Sequence, residues 1–175
     1  KNLVKAGYKL VVYDVKQEPV EELVALGAEK GANPADVAAK SDVIITMLPN
    51  SPHVVSVISG PEGILETPGE GRIIVDMSSI SPVVSKKMYD LAVAKGYDML
   101  DAPVSGGEPK AIDGTMSIMV GGKEETFEKV KPILLSMGGS AVHIGEIGSG
   151  NICKRANQIM VALHLAAVGE AMVFA

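Results

Sequence analysis

The chain of 175 residues contains one cysteine, no tryptophan and only 3% aromatic side chains. A single thiol, Cys153, cannot close a disulfide within the chain, so the sequence carries no mark of an oxidising compartment. The three histidines, His53, His143 and His164, stand far apart and have no Cys or His companions at metal-ligand spacing. No metal site is expected. With so few rings, stacking on single-stranded nucleic acid has little to work with. The formal charge of −5 also lacks the dense Lys/Arg stripe that neutralises phosphates along a duplex. No nucleic-acid partner is expected. No secretory pattern opens the sequence, and together with the lone thiol this gives the expectation of a cytoplasmic protein. The longest apolar run, 159–175, contains His164 and Glu170, which a bilayer core penalises. A buried helix is expected there rather than a membrane span.

With 47% hydrophobic and 21% charged residues, the chain has the composition of a globular protein with one sizeable core. Short β-branched or apolar runs predict strands at Tyr8–Asp14, Val43–Leu48, Ile73–Asp76, Asp98–Leu100, Met116–Val120 and Ala141–Ile144. Helical patterns separate them: through Val20 to Leu26, Pro34–Lys40, Pro52–Ile58, Pro82–Lys95 and Glu124–Met137, with a last helix from about Asn151 onward. Loops are expected at Gly60–Gly71 and Asp101–Gly107. Strands alternating with helices predict a doubly wound, mainly parallel α/β sheet of Rossmann type with right-handed crossovers. Lys1 reads as the last turn of a helix closed by Gly7, and Ala-Met-Val-Phe-Ala at the far end has no cap. The expectation is a chain cut at both ends, its last helix covered by further segments.

In such folds ligands sit beyond the carboxyl ends of the strands. Those ends are chemically rich here: Asp14, Thr46 to Asn50, Asp76 to Ser79, and Asp101 to Gly107. In Ser105-Gly106-Gly107, a hydroxyl precedes two residues without Cβ, so backbone N–H groups can approach an anion. An isolated Ser-Gly-Gly is more often a plain turn. In the stretch Gly145 to Gln158, glycines lead into a helix with Lys154 in its opening turn and Asn157 and Gln158 on the same face. A cation there opposes the helix dipole, although exposed lysines at helix starts are common. Gly148-Ser149-Gly150 imitates a dinucleotide fingerprint, but Cys153 occupies the place of its third glycine.

Two long motifs, Asp101-Ala-Pro-Val-Ser-Gly-Gly with Ala111 and Gly114, and Gly148-x-Gly150-x-x-x-Lys154, resemble those of the β-hydroxyacid dehydrogenase family. The resemblance covers essentially the whole chain. Residues 44–54, 76–80 and 106–114 look most like the branch that reduces tartronate semialdehyde to D-glycerate. The branch acting on 3-hydroxyisobutyrate is the alternative, and a non-catalytic interaction module of the same fold is the alternative of another class. The family's glycine-rich phosphate loop and its all-helical C-terminal domain have no counterpart in these residues. The implied division is a nucleotide-binding domain at 1–146 and the start of an interdomain helix at 147–175.

The resemblance implies hydride transfer between a nicotinamide cofactor and a small semialdehyde or hydroxy acid, in a homo-oligomer. Lys154 is the implied proton donor, its pKa lowered at a helix N-terminus. Ser105 with the amides of Gly106 and Gly107 is the implied carboxylate anchor, and Asn157 or Gln158 the partner of the substrate hydroxyl. Leu48 and Pro49 match positions along the cofactor, and Ser79 one near the nicotinamide ribose. Asp14 favours NAD over NADP, since a carboxylate binds ribose hydroxyls and repels a 2′-phosphate. Asp14 equally suits a turn, and Lys16 nearby can compensate a phosphate.

Overall fold

The computed structural model describes residues 1–175. Strands β3 (Val43–Thr46), β4 (Ile73–Asp76) and β5 (Asp98–Asp101) lie parallel in one unbroken register, from Val43, Ile73 and Asp98 to Thr46, Asp76 and Asp101. Successive side chains point to opposite faces. Ile44, Ile74 and Met99 enter one core with Val54 and Ile58 of α4 (Ser51–Ser59) and Met88 and Ala92 of α5 (Pro82–Ala94). Ile73, Val75 and Leu100 enter the opposite core with Phe127, Val130 and Leu134 of α7 (Glu124–Leu135). Both faces are covered, which is why these strands read as continuous apolar runs.

Beyond β5 the architecture departs from the expected one. Strand β6 (Val104–Ser105) continues the line of β5, because both pair with β7 (Met116–Gly121) in one antiparallel register: Asp101 with Gly121, Val104 with Ile118, Ser105 with Ser117. Pro103 interrupts the line because it has no N–H to give, although its carbonyl still accepts from Met119 N–H at 3.0 Å. The expected loop at Asp101–Gly107 thus contains the end of β5 and all of β6, and is followed by the helix α6 (Gly107–Asp113). The sheet is mainly parallel, as expected, with β7 antiparallel to β5 and β6. Residues 106–115 are too few for a parallel crossover, which takes a dozen or more. Strand β8 (Gly138–Gly145) returns to parallel pairing on the other side of β7.

The N-terminal part holds α1 (Asn2–Lys5), β1 (Val11–Val12), α2 (Gln17–Ala25), β2 (Glu29–Lys30) and α3 (Pro34–Ala39). Strands β1 and β2 form a separate parallel pair, not hydrogen-bonded to the main sheet. β1 is shorter than expected, with Tyr13 and Asp14 exposed, and β2 was not expected because both its residues are polar and exposed. Helix α3 starts where its chemistry dictates. Asn33 accepts from Asp36 N–H at 2.8 Å, and Pro34 fills the first helical position.

The last helix, α8 (Ser149–Phe174), runs 26 residues and buries only Gly150 and Asn151. Ile159, Leu163, Leu165, Val168 and Met172 are all more than half exposed, on more than one face. By length and composition α8 is also long enough to cross a bilayer, with a mean hydropathy of 1.4 in its most apolar window. Lys154, Arg155, His164 and Glu170 interrupt it, and its first turn is bonded into the sheet. Uncovered apolar area of this extent drives association. Residues 1–175 expressed alone are expected to aggregate or self-associate through α8, as read by light scattering. A monodisperse monomer at micromolar concentration contradicts this.

Candidate active site

The parallel register brings Thr46, Asp76 and Asp101 side by side at the carboxyl ends of their strands, and Asp101 next to Gly121. Thr46 Oγ1 donates to Asp76 Oδ1 at 2.9 Å, and Ser78 N–H donates to the same oxygen at 3.1 Å. Ser78 Oγ in turn accepts from Leu48 N–H at 2.8 Å. The loops after β3 and β4 are thereby fixed to each other, with Leu48 half-buried and Pro49 and Ser79 exposed at the rim. Asp76 is fully buried and its Oδ2 has no hydrogen-bond partner. Burial pushes its carboxyl above the ordinary range, and the neighbouring Asp101 charge adds to that.

Asp101 is the second buried carboxylate. Its Oδ1 accepts from Gly148 N–H and its Oδ2 from Asn151 N–H, both at 2.7 Å. Burial pushes this carboxyl up as well, opposed by those same N–H groups. Asn151, also buried, accepts from Ile80 N–H through Oδ1 at 2.9 Å and donates through Nδ2 to Ser85 Oγ at 3.2 Å. Helix α8 can approach this closely because residue 150 is glycine. A methyl group there would collide with the Met119 carbonyl and lie 2.8 Å from that of Asp101. Gly150 thus makes room for the strands beneath the helix.

Lys154 follows one turn later, half-buried and without an acceptor in the chain, and desolvation lowers its pKa. The physical cause is burial, whereas the helix terminus was the expected one. Asn157 is half-buried like Lys154; Gln158 is exposed and accepts from Asn157 Nδ2 at 3.2 Å. Ser105 is half-buried and pairs with Ser117 across the sheet, four residues along the chain from Asp101. The N–H groups of Gly106 and Gly107, at the exposed start of α6, are used by no acceptor in the chain. Gly106 has φ of +140°, and an added Cβ would lie 2.7 Å from Cβ of Lys110. Glycine at 106 is thus required by the loop itself, so a bulky substitution there reports strain as much as ligand approach.

Asp14 stands apart from this network. It is exposed, and its Oδ1 accepts from Lys16 N–H at 2.8 Å, which is the turn geometry weighed above. Its second oxygen has no partner among the chain's hydrogen bonds and is available to a ribose hydroxyl. The residues expected to hold a nicotinamide dinucleotide are a carboxylate acceptor after β1, and Leu48, Pro49 and Ser79 at the rim of β3 and β4. No glycine-rich turn for a diphosphate occurs within these residues. Sequence reasoning missed Asp76, Asn151 and Asp101 as a network. The available signal was an Asp closing each of two buried strands and an Asn in the first turn of α8.

A Rossmann-type sheet with polar loops gathered at its carboxyl edge is the architecture of a nucleotide-binding domain. Residues 1–145 match the family described as the NAD binding domain of 6-phosphogluconate dehydrogenase. The chain belongs to this family, among the β-hydroxyacid dehydrogenases. It is 42% identical over 172 residues to 2-(hydroxymethyl)glutarate dehydrogenase of Eubacterium barkeri, covering 98% of this chain and 57% of that protein. It is 46% identical over 175 residues to 2-hydroxy-3-oxopropionate reductase of Escherichia coli (strain K12), covering 99% and 59%. The 3-hydroxyisobutyrate dehydrogenase of Mycobacterium tuberculosis superposes with a TM-score of 0.91 at 34% identity, over 99% of this chain and 59% of that one. The chain thus spans somewhat over half the length of these relatives.

The packing of α8 on the sheet is testable without any substrate. Gly150→Ala in the full-length protein is expected to lower stability by about 1–3 kcal/mol through overpacking. Denaturant unfolding that superimposes on the wild type would show that α8 does not press on the sheet at this point.

Proposed function

We propose that the protein reduces tartronate semialdehyde to D-glycerate with NADH, with Lys154 as general acid. The observation that carries this reading is a set of polar donors left without acceptors: the Lys154 ammonium and the N–H groups of Gly106 and Gly107. An anionic substrate with a carbonyl group needs that complement. Ser105 and the two amides hold the substrate carboxylate. Asn157, on the half-buried side of α8 with Lys154, takes the substrate hydroxyl, and Gln158 steadies Asn157. NADH held in this cleft would supply the hydride for the aldehyde carbon. Lys154 gives its proton to the oxygen as the carbonyl becomes an alcohol, so charge and atoms balance. Leu48, Pro49 and Ser79 line the cofactor, and the free Asp14 oxygen accepts from its adenosine ribose, favouring NAD over NADP. The exposed α8 supports a homo-oligomer, and a cytoplasmic location accords with this chemistry. The division into a nucleotide-binding domain at 1–146 and an interdomain helix from 147 belongs to the same reading.

A second reading is oxidation of 3-hydroxyisobutyrate, supported by the likeness to the mycobacterial dehydrogenase. The two differ by a hydroxyl against a methyl on the same scaffold. Assay of the full-length protein with both semialdehydes separates them: kcat/KM is expected to favour tartronate semialdehyde, and the opposite preference selects the second reading. Ser105→Ala is expected to raise KM for the semialdehyde more than it lowers kcat. NADH is expected to give the higher kcat/KM, and a clear preference for NADPH refutes the role of Asp14.

Lys154→Ala is expected to lower kcat by about 10²–10⁴-fold. Lys154→Arg is expected to be nearly as damaging, because a guanidinium keeps its proton near neutral pH. Reduction needs the protonated amine, so turnover falls as pH rises through the Lys154 pKa, which burial places below that of a free lysine. Near-normal turnover with Arg at 154 means that the residue supplies charge rather than a proton.

A further inference from the structure

Asp101 and Asn151 are buried polar residues that the proposed chemistry leaves without a task. Asp101 reaches from the end of β5 to two N–H groups at the start of α8, those of Gly148 and Asn151. The Asn151 side chain reaches the other way, to Ile80 N–H directly after Ser79 and to Ser85 of α5. Two side chains thus join the loop after β4, the end of β5 and the first turn of α8. Lys154 lies three residues beyond Asn151, less than one turn of a stiff rod. The angle set at 148–151 therefore carries directly to Lys154.

Stability alone explains this arrangement poorly. Taking a carboxylate out of water is costly, and buried charge is often replaced by apolar groups with no loss. Two charge-assisted bonds offset that cost without a large surplus. What the arrangement provides beyond energy is direction: three backbone N–H groups and one side-chain amide, each fixed by one acceptor.

We propose that Asp101 and Asn151 are positioning residues. Asp101 holds Lys154 at a fixed place relative to Ser105, Gly106 and Gly107, which follow Asp101 in the chain. Asn151 holds the same turn against the Ser79–Ser81 loop. Both act through Lys154 and touch no substrate. The inference rests on Lys154 being the general acid.

A double-mutant cycle in the full-length enzyme tests it. Asp101→Asn and Asn151→Ala are made singly and each combined with Lys154→Ala. Each single variant is expected to lose about a hundredfold in kcat, the effect of a misplacement near 1 Å, while KM for the semialdehyde stays within about threefold. In the Lys154→Ala background the same substitutions are expected to cause no further loss, since they have nothing left to position. Asn151→Ala keeps the Asp101 carboxylate and the backbone N–H, so it reads out the clamp if Asp101→Asn does not fold. Unchanged kcat in a folded variant with a lowered melting temperature overturns the proposal and leaves a structural role. Additive losses on top of a damaged Lys154→Ala enzyme also overturn it, without touching the assignment of Lys154. Wild-type turnover in Lys154→Ala alone overturns that assignment and the proposal with it.

Discussion

A carboxylate without solvent, at the end of a central strand, accepts two backbone N–H groups from the start of a helix, and the geometry of the cleft hangs on that contact. Asp101 meets Gly148 and Asn151 where the α8 dipole is positive and its N–H groups have no helical acceptor. The contact closes only because Gly121 and Gly150 bring no Cβ into the space between strand and helix. Around it the other strand ends fall into line. Asp76, its register neighbour, ties Thr46 and the loop through Ser78, and Ser78 ties Leu48. Residues spread over more than a hundred positions are thereby held at one edge of one sheet.

This network divides the two carboxylates. Asp101 has an N–H donor on each oxygen, while Asp76 has a donor pair on one oxygen and nothing on the other. Both feel burial, and the Asp101 charge raises the cost of ionising Asp76 further. Donor placement, not donor number, separates them: Asp101 has both oxygens engaged by N–H groups at the start of α8, and Asp76 only one.

Much of the fold was legible from residue patterns, for a physical reason. Strands β3 and β4 are buried on both faces, so Val43-Ile44-Ile45 and Ile73-Ile74-Val75 show no polar alternation to confuse them with surface strands. What stayed hidden had little side-chain signal. Glu29-Lys30 is a two-residue polar strand, and the line from β5 to β6 is masked by Ala102-Pro103. In the site, Lys154 and Ser105-Gly106-Gly107 were visible as local motifs. Asp101 and Asn151 were not, because their roles come from contacts across 47 to 71 positions in sequence. Spacing within a motif says nothing about bonds that only the sheet register creates. Gly150 shows the same limit: the motif is visible in sequence, but the close approach of helix to strand that requires it is not.

Helix α8 joins two regimes in one element. Its first turn is among the most tightly bonded parts of the chain, with Asn151 engaged through its backbone and both ends of its amide. From Ile159 onward it is apolar and bare. Lys154, Asn157 and Gln158 lie between, half-buried at first and exposed by the end. Buried residues alone do not make that stretch stiff; the anchored turn does, by fixing the rod at one end. Whatever covers the apolar part then meets a helix whose direction is already set by the sheet. Cover added to α8 can desolvate Lys154 further without choosing where it points. Position and proton affinity at the proposed acid are therefore both set at the anchored end of the helix, the first by hydrogen bonds and the second by burial.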